Sequence, residues 1–122
     1  MPKAEFWIGR PTHYWGLGTA PDLSFSIARR YEESGLDGLL LFDTQNLAPE
    51  CYVCLASAAK ETSSIKLGTG VTNPATRHAA VNASAMATLH ELSGGRAYLG
   101  LGRGDSSLAY LGYSPTSVAK FE

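Results

Sequence analysis

The sequence predicts an α/β fold in which parallel strands alternate with helices. Apolar segments of strand length alternate along the chain with longer segments of helical periodicity. The strand segments are apolar without strict alternation, which is typical of strands covered on both faces. Because right-handed crossovers join successive strands through helices, every strand is predicted to be parallel to the next.

The first predicted unit is a strand, a long loop and a helix. Residues 5–8 are the strand candidate, and residues 9–20 are rich in Gly, Pro and Thr, as in a loop. Thr19 can cap the helix that follows, and Gly35 is predicted to end that helix in a left-handed cap.

The second unit begins with the buried strand 38–42, and Asp43 marks the point where this strand emerges. Pro49 then opens a second helix, which the alanine-rich residues 51–61 continue. A third strand at 65–71 completes a second crossover.

The last part of the chain repeats the pattern. A third helix covers 81–92, stops at Gly94 and Gly95, and is followed by a fourth strand at 97–102. Residues 118–122 look like the start of a further helix, so the chain is interpreted as stopping within a unit.

Four strands in this order leave two architectures open, a barrel or an open doubly wound sheet. A complete eight-stranded barrel takes about 250 residues. The predicted strands therefore amount to half of a barrel, with apolar edges that this chain does not cover.

Composition favours one soluble domain that acts on a small molecule. Of the 122 residues, 44% are hydrophobic and 17% are charged, and the formal net charge is −1. Nucleic acids and anionic membranes attract clusters of Lys and Arg, which this sequence lacks, so neither is expected as a partner. The sequence also lacks a long apolar run or a signal segment, which predicts a cytoplasmic protein.

Two carboxylates follow predicted strands and are candidate catalytic groups. Asp43 and Asp105 come just after the second and fourth strands, where a side chain is held at the mouth of the sheet. We expect both to face one cavity. For Asp43 the alternative role is a cap for loop amides. For Asp105 it is part of a nucleotide-binding turn, because residues 100–106 follow a strand and Ser106 can cap the next helix. The dinucleotide fingerprint belongs after the first strand, however, which disfavours that alternative.

The third strand ends in glycines and leads into a polar loop. Gly68 and Gly70 allow a flat ligand to approach the backbone, although a bulge or close packing would require them equally. In the same loop His78 is a candidate substrate contact, as is His13 in the first loop, with a solvated side chain as the alternative. His90, on the third helix, is predicted to lie on the surface.

A Cys-x-x-Cys motif stands at the start of the second helix. Cys51 and Cys54 have the spacing of a thiol redox site, whose first thiolate a helix dipole favours. The alternative is two small core side chains one turn apart, since the flanking residues form a plain apolar helix face. No second cysteine pair or spaced histidine pair completes a zinc site, so no metal is expected.

Three motifs together identify a family. GTGVTNPATRH, ASAMATLHELSGGR and YLGLGRGD, at these spacings, resemble the bacterial luciferase-like superfamily, and most closely its deazaflavin-dependent oxidoreductases. The resemblance implies a (β/α)8 TIM barrel, of which this chain would be the N-terminal half, a single domain over 1–122 that is incomplete at its C-terminus. It also implies a deazaflavin (coenzyme F-420) or FMN as cofactor, hydride transfer with a small organic substrate, and a homodimer in the complete protein.

The same resemblance assigns roles to residues. A non-prolyl cis peptide would join Gly70 to Val71 behind the cofactor ring, and Asp105 would match an acidic position that assists proton transfer in some relatives. Relatives that oxidise sugar phosphates carry a histidine where Thr44 stands, which weighs against that substrate. The cofactor contacts implied in this way are Asp43, Gly70, Val71, Thr72 and Asn73.

Three alternatives stay open beside the deazaflavin enzyme. The first is an FMN-dependent monooxygenase that activates oxygen. The second is an inactive half-barrel that folds only by pairing its exposed sheet edges with another copy or with the missing half. The third is a thiol redox module that uses Cys51 and Cys54.

Overall fold

Each strand of the sheet pairs in parallel with the strand before it in the chain. The computed structural model describes residues 3–10, 22–45 and 47–121. Its four strands lie in the order β1-β2-β3-β4. This sequential order has no point at which the strand order reverses, so the doubly wound alternative is wrong and the sheet is the wall of a barrel. The strands are β1 (Trp7–Arg10), β2 (Gly38–Leu41), β3 (Lys66–Thr72) and β4 (Ala97–Leu101).

Five helices follow the strands in the described residues, and the second has the predicted bounds. The third begins two residues earlier than predicted, because the side chain of His78 caps it by accepting a hydrogen bond from the Ala80 amide at 3.2 Å. The first predicted strand is displaced to Trp7–Arg10, since Trp7 pairs with Gly38 at the start of β2. The predicted cap at Thr19 lies outside the described residues. The helices are α1 (Asp22–Glu33), α2 (Cys51–Glu61), α3 (Ala79–Leu92), α4 (Asp105–Tyr110) and α5 (Val118–Phe121).

The core lies between the sheet and the helices on its outer face. Alternate residues of the central strands point towards α2 and α3 and are fully buried, while Leu55 and Leu89 reach them from the helices. On the opposite face, the rings of Trp7 and Tyr98 meet edge to face with centroids 5.1 Å apart. This contact joins the two outer strands of the sheet, as expected of the inner face of a curved barrel wall. None of the described helices has the length and apolar character needed to cross a membrane.

Hydrogen bonds to the backbone fix the end of the sheet where the strands begin. Glu32, near the end of α1, accepts bonds from the amides of Ser63, Ser64 and Ile65 at 2.6–3.0 Å. Burial opposes the charge of Glu32, but these bonds outweigh it and lower its pKa to about 2. Arg96 donates to the carbonyl oxygens of four residues, among them Ala59 and Thr62 near the end of α2. The opposite end of the sheet is left for a site.

Candidate functional site

A cavity of about 320 Å³ opens at the carboxyl ends of β2, β3 and β4. Its volume falls at the lower end of the range of roughly 300–1,000 Å³ that is usual for small-molecule sites. The cavity brings together six of the residues singled out in the sequence, which are Asp43, Gly70, Val71, Thr72, Asn73 and Asp105.

One wall of the cavity includes the Gly70–Val71 backbone and the Val71 side chain. The peptide bond between Gly70 and Val71 is cis, as the resemblance implies. Val71 is 48% exposed, and its side chain lies against the loop after β4, where a Cβ on Gly102 would come within 2.5 Å of its Cγ2. Only glycine fits at position 102 while Val71 keeps this position. The pairing of β3 with β4 also shifts in register after Thr69, so the segment is both irregular and part of a cavity wall.

Asp43 is buried and held by three side chains. Its Oδ2 accepts a hydrogen bond from the Thr72 hydroxyl at 2.6 Å and pairs with the Arg77 guanidinium. Its Oδ1 accepts from the Gln45 amide nitrogen at 2.7 Å. Among the described residues the hydrogen-bond partners of Asp43 are these side chains, whereas the alternative role expected loop amides.

Arg77 holds Asp43 from outside the cavity. Its guanidinium also pairs with Glu50 and lies over the ring of Tyr52, with 5.1 Å from Cζ to the ring centroid. The Tyr52 hydroxyl in turn donates to Asn82 Oδ1 at 3.1 Å, and burial raises the pKa of Tyr52 to about 12. These contacts place a cation beside the buried carboxylate and keep it there.

Sequence reasoning missed Arg77 and Gln45 as partners of Asp43. The signal that could have found Arg77 is electrostatic. A carboxylate at the end of a buried strand needs a cation or hydroxyl from a neighbouring loop, and the loop that begins at Asn73 contains one arginine, Arg77. No pattern in the sequence distinguishes Gln45 from any other polar residue of its loop.

The amide of Asn73 is engaged with the protein. Its Oδ1 accepts from the amides of Ala75 and Thr76 at 3.0 and 2.9 Å, and its Nδ2 donates to Ser107 Oγ at 3.1 Å. Asn73 therefore shapes the cavity by holding the loop after β3 against α4.

Asp105 is the exposed carboxylate of the cavity. Its side chain is 78% exposed, with the Arg103 guanidinium 3.9 Å away. It is the first residue of α4, and Gly104 precedes the helix with a φ of +83°. The prediction that Ser106 caps this helix is therefore wrong, because Ser106 lies inside its first turn.

Neither of the two histidines among the described residues lines the cavity. His78 is exposed, caps α3 and is absent from the cavity wall. His90 is exposed, as predicted. The candidate His13 lies outside the described residues.

The two cysteines are core residues. Both are fully buried, and the Cys51 thiol donates to the Leu41 carbonyl at 3.5 Å. Burial also raises the pKa of the Cys51 thiol well above its usual value. Both findings oppose the redox alternative. Over residues 3–10, 22–45 and 47–121, no group of three or more His, Cys, Asp or Glu side chains could hold a metal ion.

Comparison with known proteins gives a consistent set of relatives. The family profile described as luciferase-like monooxygenase matches residues 15–117. A 5,10-methylenetetrahydromethanopterin reductase of Methanolobus tindarius is 49% identical over 80 residues, which cover 66% of this chain and 24% of that protein. An F420-dependent glucose-6-phosphate dehydrogenase of Kineococcus radiotolerans is 39% identical over 95 residues, covering 71% of this chain and 28% of the relative.

A solved structure extends the likeness to the fold. The coenzyme F420 dependent tetrahydromethanopterin reductase from Methanopyrus kandleri superposes with a TM-score of 0.81 at 34% identity, over 91% of this chain and 30% of that one. The predicted fold, the first four strands of a (β/α)8 TIM barrel, is confirmed. This chain spans 24–30% of the length of these relatives.

Proposed function

We propose that this chain, which belongs to the luciferase-like monooxygenase family, contributes the ring-binding wall of an oxidoreductase that transfers hydride between a deazaflavin and a small organic substrate. The observation that carries the proposal is the cavity in which the Gly70–Val71 peptide and the buried Asp43 share a wall. The reductases and dehydrogenase to which the chain is similar are named for coenzyme F420 or for the reduction of a pterin, which supports the choice of coenzyme F-420.

The residues of the cavity fit a flat heterocycle. The Gly70–Val71 backbone and the apolar Val71 side chain line the cavity and offer a surface on which a planar ring can lie. The space of the missing side chains at Gly70 and Gly102 is filled by Leu40 and Val71, so close packing accounts for these two glycines. Polar groups stand at the edges of that surface and can bind the ring's hydrogen-bonding atoms. A deazaflavin bound there supplies the hydride chemistry, and the protein supplies orientation and electrostatics.

The two carboxylates have separate roles in this proposal. Asp43 is buried and fully oriented, so it accepts a hydrogen bond from a ring N–H and fixes the ring's position. Asp105 is exposed at another edge of the cavity, a position that suits a general acid or base for the substrate.

The substrate is proposed only by class. Thr44, which lines the cavity beside Asp43, provides a neutral hydroxyl where a sugar-phosphate enzyme of this kind is expected to have histidine. This difference favours an organic substrate other than a sugar phosphate. Among the relatives, the reductases are therefore a better functional comparison than the glucose-6-phosphate dehydrogenase. His78, which caps α3, is given no part in substrate binding.

Cofactor titration of the full-length protein tests the proposal. We expect coenzyme F-420 to bind with quenching of its fluorescence, and Asp43→Asn to weaken that binding by about tenfold, equivalent to 1.4 kcal/mol. Asp37→Asn is the matched control, because Asp37 precedes the same strand at its opposite end and accepts a bond from the Phe6 amide at 2.9 Å. Tight binding of FMN without any deazaflavin quenching would favour the monooxygenase alternative and refute the proposal.

A further inference from the structure

We propose that Arg77 is a positioning residue, which fixes the direction in which the Asp43 carboxylate faces the cofactor cavity. This inference deepens the proposed function and rests on it for the identity of the ligand. The contact between Arg77 and Asp43, from which the inference is argued, involves residues of this chain alone.

Arg77 acts on Asp43 from behind the cavity wall. Asp43 lines the cavity and Arg77 does not. The Arg77 side chain is 17% exposed and the Asp43 side chain 3%, so their ion pair is largely shielded from solvent. Arg77 lines a smaller neighbouring cavity of about 250 Å³ instead. From that side it orients the carboxylate without touching a ligand in the cofactor cavity, which distinguishes a positioning residue from a catalytic one.

The hydrogen bonds on Asp43 leave a defined direction open. A carboxylate has about four lone-pair directions for accepting bonds. Arg77 and Thr72 both use Oδ2, and Gln45 uses Oδ1. Among the described residues this leaves one acceptor direction, on Oδ1, for a donor in the cavity. With Arg77 removed, the carboxylate keeps only two neutral hydrogen-bond partners, which hold its orientation less strongly than an ion pair does.

Arg77 is itself held in place from two further sides. Its second terminal nitrogen pairs with Glu50, which is anchored because its other oxygen accepts from the Val53 amide at 2.8 Å. The Tyr52 ring lies against the guanidinium face. Only a planar fork can meet two carboxylates and a ring together, so lysine is not an equivalent substitute.

The first test needs no ligand. In full-length protein labelled with ¹⁵N-glutamine, the side-chain amide of Gln45, assigned with Gln45→Met, reports its 2.7 Å bond to Asp43. We expect Arg77→Met to move these amide resonances towards free-amide positions and to speed their exchange with water. Arg29→Met is the matched control, because it removes an exposed ion pair between α1 and α2. Gln45 resonances that stay at their wild-type positions in folded Arg77→Met protein would overturn the proposal.

The second test links Arg77 to binding through Asp43. Affinity for coenzyme F-420 is measured in Arg77→Met, Asp43→Asn and the double variant, under conditions where circular dichroism shows each to be folded. We expect Arg77→Met to weaken binding about tenfold in the wild-type background and by less than about twofold in the Asp43→Asn background, with Arg77→Lys intermediate.

A purely structural role for Arg77 predicts equal losses in both backgrounds, and that result contradicts the proposal. If the wild-type protein does not bind the deazaflavin, the proposed function is wrong. The Gln45 resonances still decide whether Arg77 positions Asp43, so the two failures are distinguishable.

Discussion

The Glu32 contact at the amino end of the sheet gives a prediction about stability and pH. Glu32→Gln keeps an acceptor oxygen but removes the charge that three backbone amides and the Ser64 hydroxyl now bind. The free carboxyl has a pKa of 4.5 and the folded one about 2. That difference is worth at most about 3.4 kcal/mol at 1.36 kcal/mol per pKa unit. Because the group is partly open to solvent, we expect a loss of about 2 kcal/mol.

The sign of the pH effect follows from the lowered pKa. A carboxyl group that is more acidic in the folded state stabilises the fold fully above the unfolded pKa of 4.5. Its contribution is then lost as the pH falls towards the folded pKa of about 2. The free energy of unfolding of wild-type protein should therefore fall more steeply between these values than that of Glu32→Gln.

Urea unfolding of the full-length protein at several pH values, followed by circular dichroism, measures this difference. Glu61→Gln is the control, because Glu61 forms an exposed pair with Arg29 and should change stability by less than about 0.5 kcal/mol. If wild type and Glu32→Gln show the same dependence on pH, the hydrogen bonds around Glu32 do not stabilise the fold as argued.

Three further predictions follow from single contacts. Gly102→Ala should weaken deazaflavin binding about tenfold, measured by fluorescence, because the new Cβ displaces Val71 from the cavity wall; unchanged affinity contradicts the proposed wall. Arg96→Leu should lower the free energy of unfolding by about 3 kcal/mol in urea, since it leaves carbonyl oxygens of α2 without their donor; a loss below about 1 kcal/mol refutes this. Cys51 and Cys54 should resist alkylation in native protein and react in urea, because both thiols are buried in the folded state. Peptide mass spectrometry measures the labelling, and rapid labelling of native protein would restore the redox alternative.

The fold was predictable because its signals are local and repeated. The alanine-rich segment gave the bounds of α2, and Gly35, with a φ of +81°, follows α1 as a left-handed glycine should. The ends of elements were less accurate. His78 caps α3 although histidine is not among the preferred capping residues, so its helix was predicted to begin too late.

The cavity was predictable in outline and its electrostatics were not. Residues that end neighbouring parallel strands must lie at one edge of the sheet, which is why Asp43, the residues after Gly70, and Asp105 were expected together. The partners of a buried carboxylate depend on how two loops fold against each other. Loop geometry leaves no periodic trace in a sequence, so the guanidinium of Arg77 is recognisable there as one polar group of the loop but not as the partner of Asp43.

The two ends of the sheet use hydrogen bonds differently, and this has a measurable consequence. At the amino end, Glu32 and Arg96 bind backbone groups of neighbouring elements and so hold the fold together. At the carboxyl end, Asp43 and Arg77 bind other side chains around a cavity. We therefore expect substitutions of Glu32 or Arg96 to lower stability while leaving deazaflavin affinity within about twofold, and Arg77→Met to change affinity more than stability. Measuring both quantities for each variant tests this separation, and losses of affinity that simply track losses of stability would contradict it.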